Sequence, residues 1–187
     1  METKLHVCPV WIGYLMNNPL RKLQQNPYKI LWRYAIPGSR ILEIGPAMGF
    51  FSVPMASMIA PDGKLYCVDI QQGMLDKLEA RMRRRKLEHI TETILSTADS
   101  MQIDHLKAEI DFCLLAFVVH EIPGQKKFFR EIACAMKKGG RILFMEPSWH
   151  VKKDDWEKSL NYAVEAGFTI NPDVMVKGCR SCELEKS

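Results

Sequence analysis

The sequence predicts an α/β domain on a covered, mostly parallel sheet with helices on both faces, and three observations carry that expectation. Residues 41–52, Ile-Leu-Glu-Ile-Gly-Pro-Ala-Met-Gly-Phe-Phe-Ser, run from an apolar stretch through a small-residue turn into a second apolar stretch, the pattern of a buried strand passing into a helix. Residues 110–119, Ile-Asp-Phe-Cys-Leu-Leu-Ala-Phe-Val-Val, are too apolar for a strand with one wet face, and so read as the central strand of a sheet covered on both sides. Between and beyond these two stretches, strand-like and helix-like segments alternate, which favours parallel crossovers.

Length and composition set the outer bounds. A chain of 187 residues with 47% hydrophobic content can bury one core of ordinary size, and no Ser/Gly-rich or Pro-rich linker divides it. One domain is expected over 1–187, with 1–36 as a helical extension or lid and 37–187 as the core. A formal net charge of +4 is below that of a dedicated nucleic-acid binder. No signal-peptide pattern and no apolar run of spanning length are present, so a soluble, cytoplasmic protein is expected. Six cysteines at 8, 67, 113, 134, 179 and 182 form no disulfide framework, and those at 67, 113 and 134 sit in apolar runs, where buried thiols are expected. Cys179 and Cys182 are the one close pair. In a strand they would point to opposite faces, which argues against shared metal binding, and no metal is expected.

Taken in order, residues 1–36 carry Trp11, Tyr14, Trp32 and Tyr34 among short helical signals. Asn18-Pro19 and Asn26-Pro27 each read as an N-cap followed by proline at the first helical position. Packing is the commoner use of such aromatics, with Tyr14 and Tyr28 kept as candidates near a substrate. The strand from 41 and its turn follow, then a helix over about 50–60, ended by Pro61-Asp62-Gly63. Glycines at 45 and 49 admit close approach of a ligand to the backbone beside the next helix's N-terminus. Ala47 and Phe50 replace the glycines that a dinucleotide fingerprint needs, and Glu43 repels phosphate while favouring an ammonium group. Both points favour S-adenosylmethionine over NAD.

The strand 64–69 ends in Asp69, about two dozen residues beyond Gly45, where a carboxylate suits two ribose hydroxyls. Residues 72–87 form an amphipathic helix ending in the basic run 81–86, read as a solvated, dipole-stabilised helix end. A strand at 91–95 leads to Asp99, which could accept from an adenine amino group. His120 and Glu121 sit just past the central strand, near the expected reaction site. A helix at 128–136, a glycine cap at 137–140, a strand at 141–146 and a helix at 154–166 follow, and segments near 168–170 and 178–185 are joined too briefly for a crossover, so they form an antiparallel hairpin.

Residues 43–49, Asp69, Ala98-Asp99, 111–116 and 137–146 resemble, in order, the successive motifs of class I S-adenosylmethionine-dependent methyltransferases, with Ala47 in place of the middle glycine. The resemblance covers about 38–147, together with 165–168 and the final strand. It implies a Rossmann-like seven-stranded, mostly parallel sheet in order 3-2-1-4-5-7-6 with an antiparallel C-terminal hairpin. It also implies cofactor contacts from Glu43 (methionine ammonium), Gly45 and Gly49 (methionine moiety), Asp69 (ribose), Ile70 and Met74 (adenine faces), Asp99 (adenine amino group), and from Ala98 and Ala116. The phrases Val119-His120-Glu121 and Met145-Glu146-Pro147 look like the small-molecule branch that includes ubiquinone/menaquinone and arsenite methyltransferases.

The implied reaction is in-line methyl transfer from S-adenosylmethionine to a small-molecule acceptor. Alignment alone can supply much of the rate, and where a base is needed His120 is the first choice, with Glu121 or Glu146 orienting it or acting in its place. Competing readings are a non-catalytic binding module of the same fold and an RNA or protein methyltransferase. The sequence offers no base-methylation motif of the Asn-Pro-Pro-Tyr type, no membrane span and no cysteine cluster for arsenite, so nucleic acid is not the expected partner. A homodimer is left open.

Overall fold

The computed structural model describes residues 25–187; the sequence readings at Cys8, Tyr14 and Asn18-Pro19 lie outside them. Helix α1 (Pro27–Leu31) starts as its sequence requires: the Asn26 side chain accepts from the Tyr28 and Lys29 amides at 3.0 and 3.4 Å, and Pro27 fills the first turn. The chain then alternates through β1 (Arg40–Ile44), α2 (Ser52–Ile59), β2 (Lys64–Asp69), α3 (Gln72–Arg85), β3 (Thr91–Leu95), β4 (Ile110–Ala116), α4 (Gln125–Ala135), β5 (Met136–Pro147), α5 (Lys153–Glu165), β6 (Phe168–Asn171) and β7 (Cys179–Lys186). The sheet order is β3-β2-β1-β4-β5-β7-β6, parallel from β3 to β5 and antiparallel at β5/β7/β6. The expected order and terminal hairpin are both present.

Alternation along each strand divides the core into two layers, because successive side chains leave opposite faces of the sheet. Ile41, Leu65, Phe112, Leu114, Leu143 and Met145 pack with Leu31 of α1, Met55 and Ile59 of α2 and Leu78 and Met82 of α3. Leu42, Ile44, Val68, Cys113, Leu115, Ile142 and Phe144 pack on the other face with Phe129 and Ile132 of α4 and Ala163 of α5. Tyr34 stacks on Phe112 at 4.6 Å between ring centroids, so this aromatic of the preamble packs in the core. Cys182 belongs to the α4/α5 layer and Cys179 packs toward the other, in keeping with their expected opposite orientations.

Three expectations are corrected. The central strand stops at Ala116, because Phe117 takes a left-handed backbone (φ +62) and the chain turns into a 3₁₀ turn, Val119–Glu121. Residues 137–140 are no helix cap: Met136 is already extended and pairs with Ile110, while the register jumps to Arg141 opposite Phe112. The residues between form a bulge in β5, with Gly139 left-handed at φ +72. Cys134 is exposed, since the buried stripe of α4 runs through Phe128, Phe129, Ile132 and Ala135 and leaves position 134 facing out.

Candidate functional site

In strand order β2-β1-β4, chain connections leave β1 toward opposite edges, so a crevice opens outside the strands' carboxyl ends. The turn after β1 forms one lip. Gly45 takes φ +69, and a Cβ there would lie 2.8 Å from Val118 Cγ2, so the turn touches the loop after β4. Gly49, at φ +82, serves a different contact, because a Cβ there would stand 2.6 Å from Leu78 Cδ1 and its absence lets α3 close on the turn. Ala47 adopts φ +48, so the position that departs from the glycine pattern still takes the left-handed conformation.

The crevice is a cavity of about 490 Å³, within the roughly 300–1,000 Å³ range of small-molecule sites. Its wall brings together Gly45, Asp69, Ile70, Met74, Ala98, Asp99 and Ala116 of the expected set. Glu43 and Gly49 are not in that wall. Asp69, at the end of β2, accepts the Gln71 amide at 2.9 Å; burial raises its pKa, and backbone amides at Gln71, Ala47 and Ile70 offset part of the rise. Glu43 lies behind the wall at 3% exposure, with Cys67 Sγ 3.8 Å from Oε2. Burial lifts its pKa to about 8, partly opposed by Ser52 and Cys67 and reinforced by the charge of Asp69.

Several wall residues carried no cofactor role in the sequence reading. Glu121 and Ile122 come from the loop after β4, and Phe128 and Glu131 from α4. Their usable signal was position alone, since the helix after the central strand starts beside the crevice. Asp69, Asp99, Glu121 and Glu131 are four acids in a wall whose cationic side chain, among the described residues, is Lys127. Lys127 lies 3.7 Å from Glu131 and also donates to the Asp99 carbonyl. Such a wall repels a pyrophosphate and suits a ligand with positive charge. It fits an adenosyl sulfonium, with a carboxylate at the end of β2 for ribose hydroxyls and Ile70, Met74 and Phe128 as apolar surface for a base.

His120 faces elsewhere. Its backbone amide donates to Glu146 Oε1 at 3.1 Å, its Nδ1 lies 2.7 Å from Glu146 Oε2, and its Nε2 is 4.0 Å from Glu121 Oε1. Burial would lower the imidazole pKa, but the hydrogen bond and charge of Glu146, with the charge of Glu121, outweigh it and hold the pKa above its ordinary value. The ring opens on a second cavity of about 710 Å³ between α4 and α5, walled also by His150, Trp156 and Tyr162. Pro123, Gly124 and Lys127 belong to both walls, so the two spaces adjoin. Tyr28 is 52% exposed and lines neither. In the basic run, Arg83 lies 3.4 Å from Glu79 one helical turn away, in keeping with a helix-end role, whereas Arg81 is partly buried and donates to the Met48 carbonyl at 2.8 Å, tying the helix to the turn after β1.

A family model described as a methyltransferase domain matches residues 42–144. A demethylmenaquinone methyltransferase of Bacillus mycoides (strain KBAB4) is 21% identical over 112 residues, covering 60% of this chain and 46% of that protein. The chain thus spans about half the length of the curated relatives it matches. Among solved structures, a SAM-dependent methyltransferase from Aquifex aeolicus superposes with a TM-score of 0.85 at 20% identity, over 97% of this chain and 100% of that one. Aeropyrum pernix fibrillarin, solved with natively bound S-adenosyl-L-methionine, superposes with a TM-score of 0.61 at 19% identity, over 93% of this chain and 76% of that one.

Proposed function

We propose a reaction for this chain, which belongs to the methyltransferase domain family: transfer of the methyl group of S-adenosylmethionine to a small-molecule acceptor, in the manner of a reduced, hydroxylated quinone ring. The observation that carries it is the acid-lined cavity at the carboxyl ends of β1, β2 and β4, which suits a cationic nucleoside and not a pyrophosphate. The acceptor class is supported by the demethylmenaquinone methyltransferases among the relatives.

The cofactor supplies an activated methyl group, whose bond to sulfur breaks with the electron pair leaving on a neutral thioether. The chain's own residues bind and orient. Asp69 would hold the ribose hydroxyls, Ile70 and Met74 the faces of the base, and Asp99 its amino group, with Gly45, Ala98 and Ala116 as wall surface. Glu43, buried and held largely protonated, would ionise when an ammonium group comes near, which stabilises both charges. Gly49 would act through the turn it shapes.

His120 is the group we assign to take a proton from the acceptor. A neutral imidazole donating Nδ1–H to Glu146 has its lone pair on Nε2, on a ring that lines the second cavity and with Glu121 Oε1 of the first cavity's wall 4.0 Å from that nitrogen. As the acceptor carbon forms its bond to the methyl group, the ring proton it sheds must find a base. The test is transfer of a radiolabelled methyl group from S-adenosylmethionine to a hydroxylated naphthoquinol. Label in the organic product at a rate that falls at least about a hundredfold in His120→Ala supports the assignment. Cofactor binding with no transfer to quinols, phenols or thiols contradicts it.

A further inference from the structure

The loop joining β4 to α4, residues 117–124, is a wall of the cofactor cavity through Phe117, Val118, Glu121 and Ile122. It is also the surface against which the Gly45 turn closes. Phe117 leaves the sheet with a left-handed backbone, its amide still donating to the Met145 carbonyl at 2.9 Å. The next backbone bonds, from Glu121 to Val118 and from Ile122 to Val119, stay within the turn, and Gln125 at the start of α4 donates to the Val119 carbonyl at 2.9 Å. From the sheet, Glu146 at the end of β5 grips the loop. This carboxylate is 2% exposed, and both oxygens are taken by one residue, the backbone amide of His120 at 3.1 Å and its Nδ1 at 2.7 Å. A bond to the ring alone would suffice to orient a base. The second bond, to the backbone, holds the loop itself.

We propose that the His120–Glu146 pair is a clamp that fixes the cavity wall formed by residues 117–124, so that His120 is a positioning residue for cofactor binding as well as a proton acceptor. The inference rests on reading the first cavity as the cofactor's. Below the imidazole's titration the clamp is an ion pair with two hydrogen bonds to the carboxylate; above it, both bonds keep their ionised acceptor but the attraction of the imidazolium charge is lost, and the buried carboxylate is less well compensated. The charged and titratable groups facing His120 are Glu146 from β5, Glu121 from its own loop and His150, whose ring centroid is 5.1 Å away. Across the second cavity stand Lys126, Lys127 and Arg130 of α4 and Asp155, Lys158 and Tyr162 of α5. Lys126 is paired with Glu165 at 2.6 Å and Lys127 lies 3.7 Å from Glu131, so the nearest charges are the two acids that favour the imidazolium. With the pKa raised in the folded protein, the clamp is at full strength at low pH and weakens as pH climbs through that raised value.

The test uses the full chain as wild type, His120→Asn, which keeps an N–H near the place of Nδ1 but cannot titrate, and His120→Ala. Amide hydrogen exchange across 117–124 reads the clamp without any cofactor, and the dissociation constant of S-adenosylhomocysteine reads its effect on binding. His120→Ala should exchange faster in that segment and bind the ligand roughly tenfold more weakly, while His120→Asn stays near wild type in both. From about pH 6 to about pH 9 wild-type affinity should fall relative to that of His120→Asn, a comparison in which the titration of Glu43 is common to both proteins. Unchanged exchange and affinity in His120→Ala, or losses in His120→Asn as large as in His120→Ala, would overturn the clamp. Should His120→Ala fail to fold, the pH series on wild type and His120→Asn decides. Failure of the wild type to bind S-adenosylhomocysteine would sink the cofactor reading instead, leaving the exchange result to decide the clamp.

Discussion

Glu43 is where stability and binding pull in opposite directions. Its folded pKa of about 8 exceeds the ordinary 4.5, so between those values the folded protein holds a proton that the unfolded chain has lost, and stability falls as pH rises across that window. Glu43→Gln should therefore stabilise the ligand-free protein by about 1–3 kcal/mol near pH 8 and by little near pH 5, measured by thermal unfolding at both, while weakening cofactor binding. Asp69→Asn should leave the melting temperature of the free protein close to wild type and weaken S-adenosylhomocysteine binding by about 10- to 100-fold in calorimetric titration. Asp69 was legible because a strand, a glycine turn, a helix and a second strand ending in an acid fix where that acid must lie. The placing of Glu43 behind the wall was not, since a short, mostly apolar strand shows burial but not which face a side chain takes. Nor could the sequence pair His120 with Glu146, 26 residues away, because that contact depends on the register of β4 against β5.

At the scale of elements, the cavity depends on three chain segments meeting: the turn after β1, the end of β2 and the loop after β4. Gly45→Ala tests the meeting directly. The new methyl would stand 2.8 Å from Val118 Cγ2 at a φ of +69, so the loop must shift and the backbone is strained. A loss of about 1–3 kcal/mol in urea unfolding is expected, together with weaker cofactor binding. Most elements were readable from period and punctuation: β2 and β3 run over the residues expected of them, 64–69 and 91–95, and Asn26-Pro27 caps α1 as its chemistry demands. The misread ends have a common cause. Residues 117–119 are apolar because Val119 is core in a 3₁₀ turn, and residues 137–140 look like a helix cap because Gly139 is left-handed inside a bulge. Both patterns fit more than one backbone, and pairing with neighbouring strands selected between them.

For the whole molecule, the sheet order places the cavity at the switch point between β1 and β4, and two apolar layers hold the sheet that carries it. Phe144 anchors one layer, fully buried and stacked on Trp156 at 4.4 Å between centroids, with Phe129 at 6.1 Å. Phe144→Ala should cost about 3–5 kcal/mol in chemical denaturation, because the space it leaves is bounded by the sheet on one side and two helices on the other. The topology was legible through its succession of motifs, whereas the acid-rich lining, assembled from four separate segments, emerged only when the chain was folded. That lining is what fits this fold to a cationic adenosyl cofactor. The direct measurement is thermal unfolding of the full chain with S-adenosylmethionine, S-adenosylhomocysteine or NAD. At a hundredfold excess over the dissociation constant, either of the first two should add about 2.7 kcal/mol, a rise of roughly 5–10 °C for a domain this size, and Asp69→Asn should remove about half of it or more at the same ligand concentration. A rise with NAD alone, or none with any of the three in a folded protein, would mean that the cavity does not hold an adenosyl sulfonium.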